Sequence, residues 1–253
     1  MRRSGVRFPS GPLDSFLWLR GATQLMSKLS KKEKDYLINL HTKAIRNHDR
    51  YVETARVFEE YAKTRELDAD ALYCLGNLYE HMVYGPQGKR ISRKIVPLKR
   101  LSDKSLRNIT MAKKLFLAAL KKDPKHIDGL RGMGKYYRDI GEYKKSLSYF
   151  KKAYKLGNKD TSDIAGMYGR LRDKKEELRW YRKGVEENPD SLLAAFNYLV
   201  SANKLHRKEM KKYAEFLEKN FQRGFGHLQP ERFSKLINMI NDEINWTLRK
   251  PEV

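Results

Sequence analysis

The segment at residues 127–158, IDGLRGMGKYYRDIGEYKKSLSYFKKAYKLGN, decides the fold of this chain. Its first half places Leu130, Met133, Tyr137 and Ile140 at intervals of three and four residues. Because an α-helix brings residues at that spacing onto one face, we predict an amphipathic helix here. Period-two alternation of β-branched residues, which would indicate strands, is nearly absent after the N-terminal leader.

A second helix of the same kind follows a tight turn at residues 141–143. One face of this helix carries Ser146, Leu147, Phe150, Ala153 and Tyr154. The small residues Gly134, Ser146 and Ala153 are expected to let the two helices approach closely. Such a hairpin buries only one side of each helix, so neighbouring hairpins must cover the other side.

This arrangement resembles the tetratricopeptide repeat (TPR), a helix pair that recurs about every 34 residues. The matching positions are Leu130, Met133-Gly134, Tyr137, Ser146, Phe150 and Ala153, with Asn158 where proline is usual. The resemblance implies an all-α fold, a right-handed superhelical array of antiparallel helix pairs with a C-terminal capping helix. It also implies a non-catalytic protein that binds its partner on the concave surface lined by the first helices.

Neighbouring segments repeat the pattern over residues 69–191. The preceding repeat contains Leu72, Leu75-Gly76 and Tyr79 in its first helix and Ala112, Phe116, Ala119 and Pro124 in its second. The following repeat contains Ile164-Ala165, Tyr168, Tyr181, Gly184 and Pro189, and Glu177 occupies its small position. We therefore predict two further TPR-like helix pairs beside the one at residues 127–158.

The flanking segments are less regular. We predict an N-terminal helix pair at 26–68, with Val52, Ala55, Phe58 and Ala62 on one face, and a degenerate repeat with a capping helix at 192–253. Residues 1–25 form a non-repeat leader. Its run from Gly5 to Pro9 is what translation of a transfer-RNA T-arm would give, so Met26 is a candidate start; a disordered basic leader is the alternative.

A basic insertion interrupts the repeat that begins near Ala69. Tyr79 and Ala112 lie 33 positions apart, whereas the equivalent Tyr137 and Ser146 lie nine apart, so about 24 residues are added at 83–108. The candidate contact residues of this insertion are Lys89, Arg90, Arg93, Lys94, Lys99 and Arg100. Long loops in compact folds are usually functional or disordered, and both readings stay open: an electrostatic contact or a tolerated basic excursion.

The overall composition narrows the class of partner. The formal net charge of +23 attracts nucleic acid, anionic lipid or acidic protein segments. The lone Cys74 fits a reducing, cytoplasmic setting, and the sequence has no run of apolar residues long enough to span a membrane. With one cysteine and six scattered histidines, we expect no metal site and no cofactor.

The first helices supply the candidate partner-binding residues. These are Tyr73, Asn77, Arg131, Lys135, Arg138, Arg170 and Asn203. Arg131, Lys135 and Arg138 share one helical face, where they could donate charge-assisted hydrogen bonds to a carboxylate, although a solvated helix face would look the same. We predict a scaffold for an acidic peptide or protein; the alternative is an RNA- or ribosome-associated protein that uses the basic insertion.

Overall fold

The computed structural model describes residues 26–47, 49–83, 101–202, 211–217 and 219–220, together with 238 and 242. Its helices are α1 (Lys31–Asn47), α2 (Tyr51–Thr64), α3 (Ala69–Val83), α4 (Asp103–Lys122), α5 (Ile127–Asp139), α6 (Tyr143–Lys155), α7 (Ser162–Arg170), α8 (Lys174–Glu187) and α9 (Leu192–Ser201). Two short strands, β1 (Ser27–Lys28) and β2 (Arg65–Glu66), pair in parallel. The prediction of an all-α chain of successive helices is confirmed.

Several helices begin where a polar side chain accepts from their first amide groups. At the start of α1, the Glu33 N–H donates to Ser30 Oγ at 3.3 Å, and the Ser30 N–H donates to Glu33 Oε2 at 2.7 Å. This reciprocal pair is a capping box, which satisfies two amides that the helix cannot. The side chains of Ser102, Asp173 and Ser191 cap α4, α8 and α9 in the simpler way.

The predicted hairpin at residues 127–158 is present as α5 and α6. Met133, Phe150 and Ala153 are fully buried, and Gly134 and Ser146 are buried with them, as the helical spacing predicted. The turn between the helices needs Gly141, whose φ is 82°. Only glycine adopts that left-handed conformation without steric cost.

The chain divides into two compact units, residues 1–136 and 137–253. In the first unit, α3 packs against α1, α2 and α4. Its core includes Leu37, Phe58, Leu75, Leu78 and Leu115, all fully buried. The boundary between the units falls inside α5, and the division into segments at 26–68, 69–191 and 192–253 stays a prediction about repeats.

A single ring determines how closely the helices of the first unit approach. Phe116 of α4 is fully buried. A Cβ atom on Gly76 of α3 would lie 2.7 Å from Phe116 Cε1, and one on Gly132 of α5 would lie 2.7 Å from Phe116 Cδ1. The ring therefore fits between two helices only because both contact positions are glycine.

In the second unit the small position of one repeat holds a carboxylate. Glu177 of α8 lies against Gly169 of α7, where an added Cβ would be 2.5 Å from Glu177 Oε1. Lys174 Nζ donates to Glu177 Oε2 at 2.6 Å. The missing side chain at Gly169 and this ion pair explain how the repeat tolerates Glu177.

One sequence prediction about packing was wrong in detail. Val52 is 41% exposed, whereas its neighbour Tyr51 is 3% exposed and takes the predicted core position. A close contact that the sequence did not predict joins Gly132 of α5 to Phe116 of α4. Helical periodicity fixes the buried face of a helix only to within one or two residues, and the packing between helices decides which residues are buried.

The ends of the predicted insertion lie close together. α3 ends at Val83, α4 already begins at Asp103, and Ser105 Oγ donates to the Val83 carbonyl oxygen at 3.3 Å. Residues 103–108 are thus helical, although the sequence placed them in the insertion. Several predicted features lie outside the described residues: the leader 1–25, Asn203, most of the predicted capping helix, and the contact residues of the insertion, Lys89, Arg90, Arg93, Lys94, Lys99 and Arg100.

A helix that crosses a bilayer must be both long and apolar. Across the ranges that the structure describes, no helix combines the two properties to the degree that crossing demands.

The contact of Phe116 with glycine gives a first prediction. Replacing Gly132 with Val should lower the free energy of unfolding by about 1–3 kcal/mol, because the new side chain overlaps the Phe116 ring. The matched control is Gly166→Ala in α7, where nothing lies within 4 Å and a gain of about 1 kcal/mol is expected from helix propensity. Urea unfolding followed by circular dichroism measures both. Native stability of the Gly132→Val variant would show that α4 and α5 are not held together by this contact.

The turns give a second prediction. Arg172, in the turn between α7 and α8, has a φ of 62°. Gly141, in the turn between α5 and α6, has the same left-handed conformation. Arg172→Gly should raise the free energy of unfolding by about 0.5–1 kcal/mol, because relief of left-handed strain exceeds the extra entropy of glycine in the unfolded chain. Gly141→Ala should lower the free energy of unfolding by a similar amount. Nothing lies within 4 Å of an added Cβ there, so backbone strain alone sets the cost. Equal effects of the two variants would contradict this account of the turns.

Candidate partner-binding face

A largely buried polar chain joins the first helices α1 and α3 of the first unit. His41 Nε2 lies 2.9 Å from Asn77 Oδ1, and Asn77 Nδ2 donates to Glu80 Oε2 at 3.2 Å. Asn77 is 3% exposed and Glu80 is 7% exposed. Because an amide oxygen only accepts, His41 donates its Nε2 proton, and the chain connects α1 to α3. We call the surface formed by His41, Tyr73, Asn77, Arg131 and Lys135 the first-helix face.

Tyr73 occupies the middle of this face. Its ring lies 6.4 Å from the His41 ring, 6.0 Å from the His126 ring and 5.9 Å from the Phe116 ring, measured between centroids. Burial raises the pKa of Tyr73 well above its ordinary value. The phenol is therefore neutral at physiological pH, and Tyr73 acts as an aromatic platform whose position depends on the core ring beneath it.

A second polar cluster fixes the starts of α3 and α5. Lys34 Nζ lies 2.8 Å from Asp68 Oδ2 and 2.6 Å from Asp70 Oδ2. His126 Nδ1 accepts from the Gly129 N–H at 3.0 Å, and its Nε2 lies 2.8 Å from Asp70 Oδ1. Hydrogen bonding to both carboxylates raises the pKa of Lys34 above its ordinary range. The carboxylates of this cluster are thus already engaged by groups of the chain itself.

Two cationic side chains lie at the edge of the first-helix face. The Arg131 side chain is 26% exposed, and its Nη1 lies 3.9 Å from Asp128 Oδ1. Lys135 is partly exposed and near enough to influence the titration of His41. Burial, and to a lesser degree the charge of Lys135, lowers the pKa of His41. The face therefore combines a rigid polar floor with cations at its rim.

The other predicted site residues have different surroundings. In the second unit, Arg138 Nε lies 2.8 Å from Asp139 Oδ1, and both side chains are largely buried, at 15% and 11% exposed. Arg170 is exposed and lies 5.7 Å from the centre of the Tyr143 ring. Neither position belongs to the first-helix face, and Asn203 and the basic insertion lie outside the described residues.

Asn77 differs from what the sequence suggested about its environment. The sequence placed it among residues that contact a partner directly. In the structure its amide oxygen bonds to His41, its amide nitrogen bonds to Glu80, and the side chain is buried. The sequence did not reveal that His41 contacts Asn77, because the two residues lie 36 positions apart on different helices.

The sole cysteine of the chain lies in the core of the first unit. Burial raises the pKa of the Cys74 thiol to about 12, so the reactive thiolate is scarce at neutral pH. No group of three or more histidine, cysteine, aspartate or glutamate side chains suited to a metal ion occurs among the residues that the structure describes.

Comparisons with known proteins extend these findings. No protein-family model and no curated protein sequence matches the chain. The PilF protein of Pseudomonas aeruginosa has a similar structure, with a TM-score of 0.57 and 12% identity over 84% of this chain and 87% of that chain. With the helix pairs described above, this likeness shows that the chain has an all-α, TPR-like fold.

Two further solved structures are similar at lower scores. One is the C-terminal part of a TPR repeat-containing protein from Cytophaga hutchinsonii, with a TM-score of 0.41, 14% identity and coverage of 84% and 92%. The other is the TPR2AB domain of yeast Sti1 in complex with an HSP90 peptide, with a TM-score of 0.39, 11% identity and coverage of 86% and 99%. These scores are too low to indicate anything further about this chain.

The half-buried His41 gives a pH-dependent prediction. Its pKa is lowered in the folded state, so below about pH 6.5 the unfolded chain binds more protons than the folded chain does. The free energy of unfolding should therefore fall as pH decreases from about 7 to 5. His41→Gln keeps a donor for Asn77 and should reduce this pH dependence. The same pH dependence in both proteins, measured by urea unfolding, would show that His41 does not titrate as described.

Proposed function

We propose that this TPR-like chain is a non-catalytic scaffold that binds a segment of a partner protein on the first-helix face. The observation that carries the proposal is the polar chain from the half-buried His41 of α1 to the buried Asn77 and Glu80 of α3. Burying polar side chains is costly unless they are hydrogen-bonded. Their pairing gives the face a fixed polar floor, which apolar packing between the same helices would not provide.

The cations of the face suggest which chemical groups the partner presents. Arg131 and Lys135 retain exposed surface beside Tyr73, and both donate charge-assisted hydrogen bonds. A carboxylate of the partner, on an acidic side chain or at a chain terminus, would be bound there. Asp128 lies close to Arg131 and competes with that carboxylate, so the face suits a partner of few charges rather than a long acidic tract.

The roles of the individual residues follow from their exposure. Arg131 and Lys135 would contact the partner directly, and Tyr73 would support an apolar part of the segment. Asn77, which is 3% exposed, is a positioning residue that holds α1 against α3 through His41. Arg138, paired with Asp139, contributes little to this face. The cytoplasm remains the setting in which we expect the partner.

A charge-reversal experiment tests this proposal. The tagged chain carrying Arg131→Glu and Lys135→Glu should capture at least about tenfold less of its protein partners than the original chain, because two charge-assisted contacts become repulsive. Cells of the source would be crosslinked, treated with nuclease and purified through the tag, and the captured proteins quantified by mass spectrometry.

The control is Lys31→Glu with Lys32→Glu, two exposed positions at the start of α1 that undergo the same change of charge. This variant should capture the partners normally. Circular dichroism and the urea midpoint establish that both variants are folded. Equal capture by the two folded variants would show that the first-helix face is not the binding surface.

A further inference from the structure

Over the three helix pairs from α3 to α8, positive charge is distributed unequally between first and second helices. Among second helices, α4 has six lysines and arginines against one acid, α6 has five against none, and α8 has five against four, a net charge of +11. Among first helices, α3 has two acids and neither lysine nor arginine, α5 has three bases against two acids, and α7 has one of each, a net charge of −1. A polyanionic partner is therefore attracted to the second helices.

In the second unit these lysines lie over aromatic rings. Lys183 Nζ lies 4.9 Å from the centre of the Tyr154 ring and 5.2 Å from that of Trp180. Lys151 Nζ lies 5.9 Å from the centre of the Trp180 ring. The rings of Tyr154 and Trp180 meet edge to face at 5.2 Å. We call Lys151, Tyr154, Trp180 and Lys183 the lysine–aromatic patch; it joins α6 to α8.

The aromatic rings of the patch pack against the core on one side and are partly exposed to solvent on the other. Tyr154 and Trp180 pack against the buried side chains of Phe150, Ile164 and Met167, and both rings keep exposed surface. Lys151 also donates to Tyr168 Oη at 2.7 Å. A ring held by the core presents its face without losing conformational freedom on binding, which favours stacking of a planar ligand.

A similar combination continues along α6. Lys152 Nζ lies 5.4 Å from the centre of the Tyr149 ring, and Tyr149 stacks on Tyr137 at 5.5 Å with the ring planes 21° apart. α6 contains no acidic residue at all. Lysine and aromatic side chains thus alternate over more of this helix than the patch itself.

From this arrangement we infer that the lysine–aromatic patch binds single-stranded nucleic acid. The ammonium groups of Lys151 and Lys183 would contact phosphates, and bases would stack on Trp180 and Tyr154. Stacking of a base on an aromatic side chain is stronger than a solvent-exposed cation–π contact, so the lysines can turn from the rings to the phosphates as the bases arrive. This patch shares no residue with the first-helix face, and the inference does not depend on the proposed protein partner.

The same geometry disfavours other polyanions. In duplex nucleic acid the bases are paired and stacked with each other, so Trp180 and Tyr154 would add nothing to its binding. An acidic protein segment or an anionic lipid surface would use the lysines alone. Dependence on the aromatic rings therefore distinguishes single-stranded nucleic acid from the other candidates.

One carboxylate opposes the inferred ligand. Tyr154 Oη donates to Glu187 Oε1, and Lys183 Nζ lies 3.9 Å from the same oxygen. Glu187 thereby neutralises part of the charge on Lys183 and would repel a phosphate. Glu187→Gln should strengthen nucleic-acid binding about twofold to threefold while it preserves an acceptor for Tyr154.

The affinity experiment measures how tightly the full chain binds three fluorescein-labelled ligands at several salt concentrations. The ligands are a uridine and a thymidine oligonucleotide of about 12 residues and a duplex of the same length. Lys151→Gln with Lys183→Gln should weaken single-strand binding about tenfold or more and reduce the salt slope by about 1.4, since each lost phosphate contact contributes about 0.7. The control, Lys31→Gln with Lys32→Gln, removes the same charge from α1 and should change the affinity less than about twofold.

The stacking experiment examines Trp180 directly. The chain has three tryptophans, so Trp18→Phe with Trp246→Phe leaves Trp180 as the sole tryptophan fluorophore. Binding of the uridine oligonucleotide should quench this fluorescence, and Trp180→Leu, which preserves an apolar contact with the core, should weaken binding about tenfold. Circular dichroism verifies the fold of every variant.

Three outcomes would overturn the inference. The first is single-strand affinity that is the same in the Lys151/Lys183 variant and the Lys31/Lys32 control. The second is tight binding that needs the lysines but is unaffected by Trp180→Leu and leaves Trp180 fluorescence unchanged, which would indicate a non-specific polyanion contact. The third is a duplex that binds as tightly as the single strand.

Discussion

The contact of the Phe116 ring with Gly76 and Gly132 is the constraint on which the first unit depends. Packed interiors tolerate little change of volume, so a ring that touches two helices at once fixes the distance between them. Phe116 thereby determines where α3 and α5 lie relative to α4. Tyr73, which packs on the same ring, and the cations of α5 obtain their positions from this contact. The first-helix face is a consequence of core packing rather than of the surface residues themselves.

The two kinds of helix have different chemistry. First helices contribute buried or half-buried polar groups that bond to one another, as His41, Asn77 and Glu80 do. Second helices contribute exposed lysines. α4 contains a single acidic residue and α6 contains none, so few of these lysines can pair with a carboxylate of their own helix. Since a charge on the surface costs little and a buried one costs much, the excess of basic residues is accommodated on the outward positions of the second helices. The two ligands that we propose, a protein segment and single-stranded nucleic acid, correspond to these two kinds of helix.

Much of the fold was predictable because it depends on spacing. The apolar positions of α5 and α6, the turn at Gly141 and the burial of Phe150 and Ala153 follow from helical periodicity, which is a local property. The candidate site was less predictable. Arg131 and Lys135 were identified from their positions on α5, yet the contact of His41 with Asn77 and the burial of Asn77 depend on the packing of one helix on another. The lysine–aromatic patch also joins side chains of two helices, so neither helix alone reveals it.

The sequence by itself determined the helical class of this protein, the pairing of its helices and the excess of positive charge, because these follow from residue type and local spacing. Only the tertiary structure decided that Gly132 lies against Phe116, that Tyr51 rather than Val52 is buried, and that Gly169 makes room for Glu177. The physical reason is that periodicity specifies a face of a helix only to within a residue or two, whereas close packing between helices distinguishes one atom position from the next.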